Sequence, residues 1–170
     1  MISKGSIGSP LGEIDSAENR FSSCEIFVVV KAFIRSDESY RILDDPSYDV
    51  CADTWMAGGC GILAKAITYI RPDSQVLAIR RADTGNIDHF GVRVDEHIID
   101  GESHCKSADS WLRRHIRVER LVYPLYVAHF EFTDGAQWEC RVPTHDALAS
   151  LSAAVIMRNL TLTRERALRR

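Results

Sequence analysis

The sequence contains no CxxC pair. Its five cysteines, Cys24, Cys51, Cys60, Cys105 and Cys140, are odd in number and widely scattered. Neither a disulfide framework nor the close ligand pairs of a structural zinc site are expected from such spacing. No stretch approaches the roughly 18 apolar residues of a membrane span, so no membrane partner is expected. The opening residues, Met1-Ile2-Ser3-Lys4-Gly5-Ser6, lack an apolar run of secretory type. Reduced thiols in a cytoplasmic setting are the default expectation, although delivery by a dedicated secretion machine would leave the same sequence. There is no basic excess: the net charge is −3, so a nucleic-acid partner would need a local patch. No phosphate-cradling loop is present, because Gly58-Gly59-Cys60-Gly61 lacks the lysine and the spacing. No cofactor is expected, and no internal repeat occurs.

What is present fits an ordinary globular domain. The chain has 170 residues, 45% apolar and 26% charged, enough for one core without staples. Residues 1–15, with Gly5, Gly8, Pro10 and Gly12 among serines, read as a flexible lead-in. A single domain is expected over 16–158, followed by a basic helix end or tail over 159–170. Ser16 reads as a helix start, with Phe21, Cys24 or Glu25, Val28 and Phe33 at helical spacing. The β-branched run Ile26–Val30 would also suit a buried strand. Residues 36–52 are turn-rich and acidic and read as a surface loop. Cys60 to about Ile70 reads as a helix stopped by Arg71-Pro72-Asp73.

Strands are expected at Gln75–Arg80, His89–Val94 and Ile98–Asp100, with turns at 82–86 and 95–97. A short helix is expected around Ser107–Arg117. Leu125–Phe132 alternates as a strand, Asp134-Gly135 marks a hairpin, and Trp138–Val142 would return. Thr144 reads as the cap of a final helix through Leu148, Leu151, Ala154, Val155 and Met157. The order is helix, then strands, then helix, which is α+β.

Within this frame three positions carry chemistry. Cys60 begins a helix, where the positive end of the macrodipole favours thiolate over thiol. His89 opens a strand. Asp100 closes the next one, eleven residues on, with a tight turn between. Near the open end of an antiparallel hairpin the two are neighbours. A nucleophilic cysteine needs a base beside it, and the histidine needs an acceptor to fix its tautomer. Asp88 and Asp95 are rival orienters. Asp88 adjoins His89, so on a regular strand it points to the opposite face and ranks below Asp100.

Gly58-Gly59-Cys60 leading into Leu63-Ala64-Lys65-Ala66-Ile67, then His89-Phe90-Gly91-Val92-Arg93-Val94, then Ile98-Ile99-Asp100-Gly101, resembles the papain-like and transglutaminase-like superfamily of cysteine enzymes. The resemblance covers about residues 53–101. It implies a papain-like core in which the nucleophile helix packs on an antiparallel sheet. It also implies Cys60 as nucleophile, His89 as general base and Asp100 as the residue orienting His89. The superfamily includes peptidases, amidases, deamidases, acyltransferases and bacterial toxin or effector domains. A protein or peptide substrate would follow. The backbone N–H of Cys60 is a candidate oxyanion donor. Trp55 and Gly59, just ahead of the cysteine, are the candidate substrate-binding positions.

Plainer readings stand beside this one. Cys24, Cys51 and Cys140 read as small buried hydrophobes. Trp55 would serve equally in a core, and Trp111 and Trp138 read as core. His104-Cys105, with Cys51 or Cys60, is a weak zinc candidate or a displaced catalytic pair. Arg113-Arg114 and the C-terminal arginines read as solvated faces. As a whole, the chain could also be an inactive papain-like scaffold that binds or inhibits a partner, such as a phage or mobile-element accessory factor. A third reading has the C-terminal arginines bind nucleic acid.

Overall fold

The computed structural model describes residues 20–48, 52–132 and 142–170, and of 142–145 the backbone only. The expected lead-in and hairpin turn, Cys51, Trp138 and Cys140 lie outside the described residues. So does the expected returning strand, apart from Val142.

The chain runs α1 (Ser23–Phe33), α2 (Asp37–Leu43), α3 (Cys60–Ile70), β1 (Gln75–Arg81), β2 (Ile87–Val94), β3 (His97–Ile99), β4 (His104–Cys105), α4 (Ala108–Glu119), β5 (Leu125–Phe130) and α5 (Val142–Leu168). The fold is α+β. The five described strands form one sheet in the order β4-β3-β2-β1-β5, antiparallel throughout.

Side-chain alternation along the strands divides the apolar residues between the two faces. Val76, Ala78, Phe90, Val92, Val94 and Ile99 join Ile26, Val30, Ile67, Leu148 and Ile156 in the larger core, beneath α1, α3 and α5. Leu77, Ile79 and Ile98 meet Trp111 of α4 in a smaller cluster on the other face. Fully burying one such side chain stabilises by roughly 1.5–3 kcal/mol, so the small cluster is enough to hold α4 in place. Gly91 permits the contact: a Cβ there would lie 2.6 Å from Cζ2 of Trp111.

The expected helix start at Ser16 lies outside the described residues, and α1 begins at Ser23. Ser22 caps it, and Glu25 closes a capping box back onto Ser22. The buried stripe is Ile26, Val29, Val30 and Phe33, while Val28 is 56% exposed. An all-apolar run does not reveal its own phase, which is why Val28 looked like a core position. Cys24 is exposed rather than buried. The segment after α1 is not simply a loop. Ser36 caps α2, Asp37 and Glu38 sit in its positive first turn, and Leu43 is buried.

At the other end, α5 already includes Val142, so this residue is helical rather than part of a strand, and Thr144 lies inside the helix instead of capping it. The helix continues to Leu168, so the basic C-terminal residues are a helix end. Its Leu160 is buried, and Arg164 pairs with Glu25 of α1. No described helix is long and apolar enough to cross a membrane.

Candidate active site

The loop ahead of α3 is wound around Thr54. Its Oγ1 accepts from the amides of Met56 at 3.2 Å and Ala57 at 2.9 Å. Its carbonyl accepts from Gly59 N–H at 3.0 Å. Gly58 has φ 93°, a left-handed backbone that favours glycine. At Gly59 a Cβ would stand 2.8 Å from Cα of Trp55 and 2.9 Å from the Thr54 carbonyl oxygen. Both obstacles are backbone, so only glycine closes this turn. Cys60 follows as the first residue of α3 and is half-buried.

Trp55 and Gly59, the candidate substrate-binding positions, are both buried beneath this turn. Trp55 is 1% exposed and packs against Phe33, with ring centroids 5.2 Å apart. Gly59 is buried beneath the same turn. The core reading of Trp55 holds, and the exposed positions beside Cys60 are Asp53, Thr54, Ala57 and Gly58.

His89 and Asp100 come from the sheet. His89, 3% exposed, donates from Nε2 to Oδ2 of Asp100 at 3.2 Å, and Asp100 is 5% exposed. The Cys60 thiol stands near enough to His89 to favour the charged form of its ring. With Nε2 bonded to Asp100, Nδ1 is the ring nitrogen left free to face the sulfur. The structure thus brings Cys60, His89 and Asp100 together, with His89 bonded to Asp100 and Cys60 beside the ring.

The topology explains how a helix on one face meets a histidine on the other. β3 pairs with β2 only at Val92, Arg93 and Val94. The pairing stops before His89, which leaves that edge of β2 without a β3 neighbour beside the ring.

Asp100 is held hard. Beyond His89, Oδ2 accepts from Nε1 of Trp111 at 2.8 Å and from Oγ of Ser103 at 2.5 Å. Oδ1 accepts from the amides of Glu102 at 2.8 Å and Ser103 at 2.6 Å. Burial works against the carboxylate, but the His89, Ser103 and Trp111 bonds outweigh it and keep Asp100 well below the usual carboxylate range. The same opposition acts on His89. Burial lowers its pKa, but the bond to Asp100 and the neighbouring Cys60 outweigh it and raise the value to about 10. An imidazolium beside the Cys60 sulfur and bonded to the Asp100 carboxylate is the state this geometry favours.

Neither rival carboxylate orients His89. Asp95 belongs to Arg71, at 2.9 Å, and to the Ser23 amide, at 3.1 Å. Asp88 lies at a β-bulge: Ile79 is opposite His89 while Arg80 is opposite Ile87, which leaves Asp88 as the extra residue. The bulge breaks strict alternation, so the expectation that Asp88 points away from His89 fails. Asp88 Oδ2 accepts from Nε2 of His115 at 2.7 Å, and Oδ1 accepts from the Tyr123 hydroxyl at 2.8 Å. The His115 ring in turn stacks on His89, with centroids 4.9 Å apart and planes 10° apart.

His104 and Cys105 belong elsewhere. His104 stacks between His97 and Phe27, with centroids 4.3 Å and 5.4 Å away. Burial pushes the Cys105 thiol up, and Asp100 adds to that, which disfavours a nucleophile there. Among the described residues no three of His, Cys, Asp and Glu are placed to hold a metal ion. A surface depression lined by Asp37, Tyr40, Arg41, Asp44, Asp45 and Pro46 runs along α2 and includes none of the three site residues.

Sequence reasoning missed Ser103, His115 and Tyr123, and read Trp111 only as core. Trp111 is core, and it also spends its N–H on Asp100. Nothing in the spacing of these residues points to Asp100 or His89. Comparison with protein-family models, curated protein sequences and solved structures finds no match to the chain.

Proposed function

We propose that the protein is a cysteine-dependent acyl-transfer enzyme acting on an amide of a protein or peptide, with a papain-like arrangement of nucleophile helix and sheet. The observation that carries this reading is the buried His89, bonded to the five-fold hydrogen-bonded Asp100 and standing beside the half-buried Cys60.

In this reading the Cys60 sulfur, as thiolate, attacks the amide carbonyl carbon and forms a C–S bond. The carbonyl oxygen gains the negative charge. Gly59, as N-cap, supplies no side-chain bond to α3, so N–H groups of the first turn are left to donate to that oxyanion. The C–N bond breaks as His89 hands its proton to the leaving amine or ammonia. Water, or a second amine, then attacks the thioester, and His89 takes up the proton it loses. Asp100 holds the imidazole in the orientation both transfers need and remains a carboxylate throughout. Hydrolysis, deamidation and transfer differ only in the group that leaves and the group that resolves the thioester.

The test is alkylation of the native protein with iodoacetamide near neutral pH, read by peptide mass. Cys24 is exposed and serves as the ordinary thiol in the same chain. Cys60 is expected to react at least about tenfold faster than Cys24, and His89→Ala is expected to remove most of that advantage. The alkaline limb of the His89-dependent rate should lie near pH 10 rather than near pH 6.5. A Cys60 that reacts no faster than Cys24 sinks the proposal. Peptide amides incubated with wild type and Cys60→Ala, followed by mass, then identify the reaction.

A further inference from the structure

His89 has a third neighbour that the proposed chemistry does not use. The His115 ring lies flat against it, 10° from parallel. His115 is itself anchored, through Nε2 on Asp88 Oδ2 at 2.7 Å, and Asp88 is anchored by the Tyr123 hydroxyl at 2.8 Å. Arg81 lies over the Tyr123 ring at 4.1 Å and pairs with Asp83. The result is a second histidine–carboxylate pair, layered on the first. Its parts come from the β2 bulge, from α4 and from the segment leading into β5, and each is mostly buried or partly so.

A free imidazole turns about its Cβ–Cγ bond. Only a narrow range of ring planes lets His89 hold Nε2 on Asp100 while the rest of the ring faces Cys60. Trp111 flanks the ring too, but its plane is tilted by 43° at 6.0 Å, so it does not set that plane. The parallel face of His115 does. We infer that His115, oriented by Asp88 and Tyr123, is a positioning residue that fixes the ring plane of His89 and offers an aromatic face to its imidazolium.

A cation over an aromatic face, or a pair of stacked rings, changes an equilibrium by roughly three- to tenfold. The charged and titratable groups around the pair are His89 and Asp88 of β2, Asp100 beyond His89, Cys60 at the edge, Tyr123, and Arg81 with Asp83 behind it. Losing the His115 face should therefore let His89 swing away from Asp100 and give up its proton more readily.

This inference rests on the proposed function for its purpose, but not for its test. The His89 ring nitrogens are titrated by 15N NMR in Cys60→Ala protein, where no thiol reactivity is involved. Adding His115→Ala should lower the His89 midpoint by about half to one pH unit, and His115→Phe, which keeps a flat ring, should restore most of it. In protein that retains Cys60, His115→Ala should slow Cys60 alkylation several-fold, with the alkaline limb moved to lower pH. His115→Phe should stay within about threefold of wild type. Should His115→Ala unfold the chain, His115→Phe and Tyr123→Phe carry the comparison, Tyr123→Phe giving a smaller downward shift than the loss of the ring. A His89 midpoint unmoved by His115→Ala, or moved equally by folded His115→Phe, overturns the positioning role. A shifted midpoint together with a Cys60 no faster than Cys24 removes the proposed enzyme and leaves the positioning role standing.

Discussion

Asp100 is the residue on which the site depends most. It accepts five hydrogen bonds, from His89, Trp111, Glu102 and twice from Ser103. An amide cannot accept them all, because its nitrogen meets donors that now have no acceptor. Asp100→Asn is therefore expected to cost about 2–4 kcal/mol of stability and to slow Cys60 alkylation at least about tenfold. Linkage gives it a second signature. Asp100 is held low, so its stabilisation is present above its unfolded value near 4 and is lost as pH falls. His89 is raised to about 10, so its stabilisation is full below about 6.5 and fades as pH rises through 10. Wild type should lose urea stability towards both limits, and Asp100→Asn should flatten both limbs. Unchanged limbs would contradict this account of the pair. The three candidate residues were legible in the sequence because Cys60 opens α3, Asp100 directly follows β3 and His89 lies near the start of β2, where helix and strand patterns can be read. Asp88 and His115 were not. Reading faces from alternation assumes a regular strand, and the one extra residue in β2 breaks that assumption where the site lies.

The first turn of α1 is held against β3 and β4 by a smaller cluster. Ser23 Oγ lies 3.4 Å from Nδ1 of His97 and 3.3 Å from Nε2 of His104, and the two rings stack 4.3 Å apart. Both rings charged would repel at that distance. Burial lowers the His104 pKa, and the charge on His97 lowers it further. A histidine held low in the folded chain favours the unfolded chain once pH drops below about 6.5. His104→Gln should thus flatten the decline in urea midpoint between about pH 7 and 5, a slope that would survive if the stack were irrelevant. Elements with a clean period, α3, β1 and β2, were legible within a residue or two. α2 was not, because Ser36-Asp37-Glu38 reads as an acidic turn as easily as a cap with a complementary first turn. β4 is two residues long, too short for any period to show.

Across the whole molecule the sheet separates two apolar clusters, and the site draws on both. Cys60 rides on α3 above the larger core, while His89 and Asp100 are braced by Trp111 and His115 on the other face. The α+β class and the order α3-β1-β2-β3-α4-β5-α5 could be read from the chain, without α2 and β4. The gap in strand pairing that joins the faces could not, since the early end of β3 follows from the Asp100–Ser103 turn, not from hydrophobic pattern. That gap gives the molecule the logic of a lock with two keys. Under the proposed function, neither the helix layer nor the α4 layer alone would make a reactive thiol, and a half-built chain would stay inert towards its neighbours. In a urea series the alkylation advantage of Cys60 over Cys24 should vanish in one step, at or before the midpoint of global unfolding. A Cys60 still reactive after the α4 layer has melted would show that one key is enough.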